Sequence, residues 1–313
     1  MGAYLFKRVL ATIPVMLFVA IFIFLLLRLT PGDPAAMIAG DFANDQQIAE
    51  IRERLGLELP LWKQFGIWFG DVLRFELGQS FYYKKEVSEL IRTRIEPTFS
   101  LSLMTIVLTV IIAVPMGTLA AYKQGSWFDR IIMGFSVLGF SVPVFVIGYA
   151  LIYIFSVQLG WLPVQGYQRI SDGIGGWAYR LILPSIALSV IFVAFIARMT
   201  RTSVLEVLGE DYIRTARAKG QTETKVLMRH ALRNAAVPIV TVIGLAIAIL
   251  IGGVVVTESV FTIPGLGLLT VEAVLNRDFP TIQAVILFFS VIYVLINLLI
   301  DVSYTFLDPR IRY

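Results

Sequence analysis

The chain contains no cysteine and only one histidine among its 313 residues. Disulfides, thiolate nucleophiles and Cys-built metal centres are therefore excluded. Charge is also scarce: 15% of residues are Asp, Glu, Lys or Arg, while 58% are hydrophobic. A soluble domain has about 25% charged and about 45–50% apolar residues. With a mean hydropathy of +0.81, the composition is that of an integral membrane protein. The net charge of +4 is too small and too localised to indicate nucleic acid. No Walker A sequence occurs, so the chain does not cradle ATP itself. Neither H-E-x-x-H nor G-x-S-x-G is present, and no catalytic residue or metal site is assigned.

Charge is wholly missing from six stretches: Val9–Leu27, Phe99–Ala121, Ile131–Leu159, Leu181–Ala197, Ala235–Thr257 and Thr281–Ile300. Each is near the roughly 20 residues a helix needs to cross about 30 Å of hydrocarbon. Helix is the expected form, because lone strands would leave backbone groups unpaired in lipid. The sequence thus predicts an all-α polytopic membrane protein with six transmembrane helices, the fourth starting at Pro184 or just before it. A signal peptide is the alternative for the first stretch, behind Lys7-Arg8. Its apolar run exceeds the usual 7–15 residues or so and no A-x-A site follows, so it is expected to stay as a membrane helix.

Basic residues of the short loops fall mostly on one side: Lys7/Arg8, Lys123/Arg130, the connection after the fourth stretch, and Arg310/Arg312. Lys/Arg-rich short loops stay inside, which places both termini in the cytoplasm and Thr30–Thr98 outside. The expected organisation is a first transmembrane helix over 1–30, an external segment with short helices over 31–97, a core of five helices over 98–306, and a cytoplasmic tail over 307–313. Within the external segment, Asp45 is expected to cap a helix through Ile48, Ile51 and Leu55 to Gly56. Pro60 opens a second helix carrying Trp62, Phe65, Trp68 and Phe69. Its apolar face is expected to rest on the membrane surface or the outer ends of the bundle, or to dock another protein.

Small residues recur every fourth position as Ala113, Gly117, Ala121 and as Gly244, Ala248, Gly252, the pattern of closely packed membrane helices. Pro115 and Pro143 lie mid-stretch and allow kinks. Intramembrane ionisable residues mark proton and ion paths; the six stretches have none. Asp301 comes nearest and is expected to pair with Arg198 or Arg201. A chain so built has no evident means of coupling to protons or sodium, and uphill transport would need an energy-supplying partner. A translocation path is expected to be neutral or weakly polar.

The exception to the scarcity of charge is 198–234, with eight basic residues (198, 201, 214, 217, 219, 225, 229, 233) against four acids (206, 210, 211, 223). Tyr212, Ala216 and Gly220 share one helical face, a small-residue surface suited to another protein's groove. Thr222 is the expected N-cap of a second helix, with Glu223 in its first turn. Lys225, Arg229 and Arg233 then form a basic stripe, and Leu227, Ala231 and Ala235 an apolar one, as on an amphipathic helix between membrane lipid and water.

Glu210-Asp-Tyr-Ile-Arg-Thr-Ala-Arg-Ala-Lys-Gly220 and His230-Ala-Leu-Arg-Asn234 resemble the EAA loop of ABC importer permeases, in the version of the dipeptide/oligopeptide/nickel family. Arg214-Thr215-Ala216 stands where the broader consensus has E-A-A, and Arg233 stands near its proline, so no role is carried over for the usual Glu. The resemblance extends to Thr30-Pro-Gly-Asp-Pro34, Leu55-Gly-Leu57, Leu77-Gly78, Arg198-Met-Thr-Arg201, Pro264-Gly-Leu-Gly267 and Asp308-Pro-Arg-Ile-Arg-Tyr313. The long external segment resembles the B-type subunit of a two-permease heterodimer.

The resemblance implies a type I ABC importer permease fold in the bacterial inner membrane. It implies an ATPase-coupling loop containing Glu210, Asp211, Tyr212, Arg214, Thr215, Ala216, Arg217, Ala218, Gly220, His230, Arg233 and Asn234. It further implies periplasmic docking at Pro31, Gly32, Asp33, Pro34, Pro264, Gly265 and Gly267. The implied partners are a second homologous permease subunit, two ATP-binding subunits that hold ATP and Mg, and a periplasmic solute-binding protein. No cofactor is implied in this chain. Peptides are the implied substrate, with glutathione and nickel as alternatives within the architecture. A secondary transporter or channel is the rival from another class, disfavoured by the charge-free stretches.

Overall fold

The computed structural model describes residues 2–29, 35–36, 44–54 and 56–307. Among them there are helices and no strand, with one isolated antiparallel bridge between Gln79 and Glu86. Helix α1 is Gly2–Leu29, α2 Asp45–Arg54, α3 Leu61–Leu73 and α4 Val87–Tyr122. Next come α5 (Trp127–Ser141), α6 (Val144–Leu151, continued by a π-helix over Ile152–Gln158) and α7 (Ile174–Leu208). The charged segment contributes α8 (Asp211–Ala218) and α9, which is α-helical over Glu223–Lys225, a π-helix over Val226–Ala231 and α-helical again over Leu232–Asn234. Helices α10 (Ala236–Phe261), α11 (Leu266–Leu275) and α12 (Phe279–Leu307) complete the described chain.

Five of these, α1, α4, α7, α10 and α12, are long and apolar enough to cross a membrane. The third charge-free stretch behaves differently. Instead of one helix over Ile131–Leu159 it forms α5 and α6, bent by 103°. The break is at Val142-Pro143: proline lacks the N–H that would continue the ladder and pushes its predecessor out of the α region. Val142 is accordingly extended, at φ −99° and ψ 121°. Counted as one broken span, the pair makes six. Pro115, by contrast, lies inside an unbroken α4. The expected start of the fourth span at Pro184 is corrected as well. Helix α7 begins at Ile174 and carries Pro184 in its interior, which membrane helices tolerate when neighbours satisfy the freed backbone groups.

The chain divides into two compact units. One comprises Met1–Leu5, Arg94–Leu269 and Tyr293–Tyr313. At its centre is α7, with 67% of its apolar window buried inside the protein. Leu181, Leu183, Leu188, Phe192 and Ile196 of α7 join Leu101 and Ala113 of α4, Ile132 of α5 and Val242, Leu250 and Val254 of α10 in one core. Close approach is sterically enforced. A Cβ on Gly117 would run into the Ala197 carbonyl and lie 2.7 Å from Thr200 Cβ, and one on Gly139 would lie 2.8 Å from Ala194 Cβ. The stripe on α10 divides: Gly244 packs on Ile300, whereas nothing lies within 4 Å of a Cβ on Gly252.

The other unit comprises Phe6–Thr93 and Thr270–Ile292. The aromatic helix α3 rests on α1, with Phe65 and Trp68 against Phe24 at 5.4 and 5.6 Å between ring centres. Trp62 stays 71% exposed. Helix α2 is capped by Asn44 rather than Asp45: Asn44 Oδ1 accepts from the Gln47 N–H at 2.8 Å, and Gln47 Oε1 accepts from the Asn44 N–H at 3.0 Å. This is a reciprocal capping pair, which an Asp one residue later imitates in sequence. A buried carboxylate, Asp278, fastens the 79–86 turn. It accepts from Ser80 Oγ at 2.5 Å, the Phe81 N–H at 2.9 Å and Thr281 Oγ1 at 2.7 Å. Tyr83 adds a hydrogen bond to Glu272.

Two outcomes follow. Gly117→Val should lower the thermal unfolding midpoint of the purified protein, since overpacking costs about 1–3 kcal/mol, while Gly252→Ala should leave it unchanged; equal midpoints would mean that α4 and α7 do not meet at Gly117. Asp278→Ala strands two hydroxyls and an amide, at about 1–3 kcal/mol per unmet group, so limited proteolysis should cut within 79–86 far faster than in the parent.

Candidate functional site

The charged segment folds as an appendage on the end of α7. After the turn at Gly209, Ile213 and Ala216 of α8 are buried with Val226 of α9 against Val207 and Leu208 of α7. The helix ends in a Schellman arrangement. The Gln221 N–H donates to the Ala216 carbonyl at 3.3 Å and the Gly220 N–H to the Arg217 carbonyl at 2.9 Å. Gly220 has φ +74°, a left-handed conformation that glycine adopts without penalty. Across this turn Arg217 grips Glu223 with both arms of its guanidinium, at 2.9 and 3.3 Å. Thr222 occupies the N-cap position of α9 but makes no capping bond with its side chain, a correction to the expected role; the Arg217–Glu223 pair secures that junction instead.

The expected face of Tyr212, Ala216 and Gly220 is split. Tyr212 and Gly220 are exposed, but Ala216 is only 9% exposed and turned into the chain's own core. The outward surface of α8 consists of Asp211, Tyr212, Arg214, Thr215, Arg217 and Ala218, with Glu210 before it. Arg214 pairs with Asp211 at 3.3 Å, yet both side chains are largely in solvent, so that pair adds little rigidity. Partial burial pushes the Tyr212 phenol above the ordinary range, keeping it a neutral hydroxyl, with the Asn234 side chain of α9 acting the other way. Asn234 donates to the His230 carbonyl at 2.7 Å. His230 is half-buried and Arg233 exposed. Lys225, Arg229 and Arg233 form the expected exposed basic stripe. The apolar stripe does not face lipid: Ala231 and Ala235 are buried with Ala121 of α4 and Val204 of α7.

The second group of candidate residues is only partly within the described chain. Pro31, Gly32, Asp33 and Pro34 lie outside it, as do Asp308 to Tyr313. Pro264 and Gly265 lie in the turn between α10 and α11 and Gly267 in the first turn of α11; Pro264 is exposed and both glycines are buried. The glycines close around a carboxylate that composition passes over. The fifth charge-free stretch stops at Thr257, but α10 continues to Phe261 and buries Glu258 completely. Glu258 accepts from Thr98 Oγ1 at 2.6 Å and from the Leu268 N–H at 2.9 Å, and Thr98 Oγ1 itself accepts from the Leu266 N–H at 2.8 Å. A Cβ at either Gly265 or Gly267 would strike the Glu258 carboxylate. A buried carboxylate needs such donors, and the two glycines allow the backbone to supply them.

A third constellation was half visible in the sequence. Arg201 does not take Asp301 as its partner; it holds Asp129 of α5, Nε to Oδ1 and Nη2 to Oδ2, the latter at 2.7 Å. Asp129 also accepts from the Gly125 N–H at 2.9 Å. The available signal was position: Asp129 is the sole acid between Glu96 and Asp172, as Glu258 is between Glu223 and Glu272. Near the same end of α4 as Thr98, Glu96 accepts from Tyr167 at 3.0 Å and from the Ile170 N–H at 2.9 Å. Burial raises the Tyr167 phenol, which therefore remains a donor.

Comparison with known proteins agrees with this architecture. Residues 113–313 match the family described as "Binding-protein-dependent transport system inner membrane component", and residues 1–102 match its N-terminal counterpart, "Binding-prot-dependent transport system membrane comp, N-term". A probable peptide ABC transporter permease of Sinorhizobium fredii is 56% identical over 313 residues, the full length of both chains. A putative peptide transport system permease of Brucella abortus is 47% identical over the same span. A glutathione transport system permease of Salmonella choleraesuis is 45% identical over 310 residues, 99% of each chain. Among solved structures, the MetNI methionine ABC transporter in inward-facing form superposes with a TM-score of 0.58 at 18% identity, over 70% of this chain and 96% of that one. An amino acid ABC transporter gives 0.53 at 15% identity, over 69% and 93%. The fold is thus that of type I ABC importer permeases, and the chain belongs to the family of binding-protein-dependent transport system inner membrane components.

Proposed function

We propose that the chain is the permease subunit of an ABC importer that carries peptides across the bacterial inner membrane, driven by ATP hydrolysis on partner subunits. The observation that carries the mechanism is α8: a short helix with a polar outer face, its inner face packed on the end of the buried α7. Two ATP-binding subunits would each grip such a helix, one on this chain and one on a second homologous permease. A push on α8 then acts on α7 directly, because Ile213 and Ala216 are buried against Val207 and Leu208. A periplasmic binding protein would deliver substrate at the opposite face, where Pro264 is the exposed member of its turn. Both termini would be cytoplasmic, and the chain itself breaks no bond. Peptide transport is supported by the names of the Sinorhizobium and Brucella relatives. The Salmonella relative supports glutathione as a second reading, and glutathione is itself a tripeptide.

Docking is best tested on the outer face of α8. Ala216→Trp would disrupt the chain's own core, so Thr215→Trp and Ala218→Trp are the informative variants. Complexes carrying either should lose co-purifying ATPase or lose hydrolysis stimulated by loaded binding protein, with the permease still inserted; Lys225→Ala should retain both. Normal stimulation in both tryptophan variants would place the coupling surface elsewhere. Orientation is open to impermeant thiol labelling, because the chain is naturally free of cysteine. Cysteines at positions 50 and 170 should react in intact spheroplasts and those at 125 and 220 should not. Reaction at position 220 would reverse the proposed topology.

A further inference from the structure

We propose that Asp129 and Arg201 are positioning residues for coupling: their ion pair carries the movement of α7 into α5 and so to the bend at Pro143. This rests on the reading of α8 as the ATPase contact. The path begins where α8 sits on Val207 and Leu208, at the end of α7. Arg201 lies on the same helix shortly before them, within the last turns of Ile174–Leu208.

One carboxylate then joins three pieces of chain. Asp129 is 4% exposed and stands in the first turn of α5. Both its oxygens are taken by the Arg201 fork, and Oδ2 also accepts from the Gly125 N–H in the turn that links α4 to α5. Two parallel N–H···O bonds fix rotation as well as distance. A lysine, a single point charge on a flexible stem, would fix distance alone. Apolar contacts between membrane helices can slide, since lipid solvates those side chains as well as protein does.

At its other end α5 is held to α7 by shape. Gly139 admits Ala194, Phe140 meets Phe195 edge-on at 5.9 Å, and the Arg198 guanidinium lies 5.7 Å from the Phe140 ring centre. Helix α5 is thereby secured to α7 at its first turn and its last. Immediately after that last turn comes Val142-Pro143, where the chain turns by 103°. A rotation of α7 would therefore be delivered to this bend, and α6 beyond it would respond. Buried ion pairs seldom add net stability over neutral replacements, which leaves orientation as what the pair supplies.

The test uses the full transporter, purified with its ATPase subunits and second permease and reconstituted in vesicles with binding protein and substrate. The variants are Asp129→Asn, Arg201→Lys and the double Asp129→Asn/Arg201→Gln, which leaves no unpaired charge. Substrate transported per ATP hydrolysed should fall about five- to a hundredfold in all three, the range of ordinary coupling energies. The thermal midpoint should drop in the single variants and return towards the parent in the double one. Restored transport per ATP in the double variant would overturn the proposal and make the pair a structural requirement only. So would single variants whose transport falls only in step with the amount of assembled complex. Uptake by the parent that ignores ATP altogether would instead sink the importer reading, and this inference with it.

Discussion

In hydrocarbon an apolar side chain gains little by leaving lipid for protein, so α7 cannot be held by hydrophobicity alone. It is held by close approach and by buried polar bonds. Gly117 and Gly139 let α4 and α5 come near enough for backbone to touch backbone or Cβ, where dispersion contacts are densest. The Asp129–Arg201 pair then fixes the angle of one helix against another. The rest of the first unit depends on this. Helix α10 packs on α7, α8 is buried against the end of α7, and α9 packs on the ends of α4 and α7.

Three buried carboxylates act at corners of the fold, each on a different pair of elements. Asp129 joins α5 to α7, Glu258 joins α10 to Thr98 of α4, and Asp278 joins the start of α12 to the 79–86 turn. Each accepts bonds from at least two donors, as burial of a carboxylate requires. None lies in a charge-free stretch, and all three sit where a helix begins or ends. The arrangement reconciles an apolar chain with defined corners: lipid-facing lengths stay free of charge, and charge is kept near the corners, where N–H groups of turns and of a helix's first turn lack helical partners and can donate to it.

The same economy shapes the segment proposed to meet the ATPases. Helix α8 is short and would be marginal alone. A Schellman end at Gly220, the Arg217–Glu223 clip and the burial of Ile213 and Ala216 hold it in place. It is rigid towards α7 and polar outwards, which is what a device that transmits a push requires. The basic stripe on α9 faces away from the protein, while its apolar stripe packs on α4 and α7.

Much of this was readable from the chain itself. Apolar runs of helical length settle a membrane protein, because every backbone group in lipid must be bonded within its own helix. A glycine after a short amphipathic run marks the end of α8, and Pro115 and Pro143 are both places where a kink is allowed. The family was evident in the wording of 210–234. These are local properties, set by near neighbours. Only the tertiary structure decided that Ala216 points inward, that α7 runs through Pro184, that Pro143 turns the chain through more than a right angle, and that Asp129, Glu258 and Asp278 each have a partner. Those partners lie 72, 160 and 198 residues away. Periodicity and composition describe what a residue is and what stands beside it; which distant donor will satisfy a buried carboxylate depends on how the helices cross.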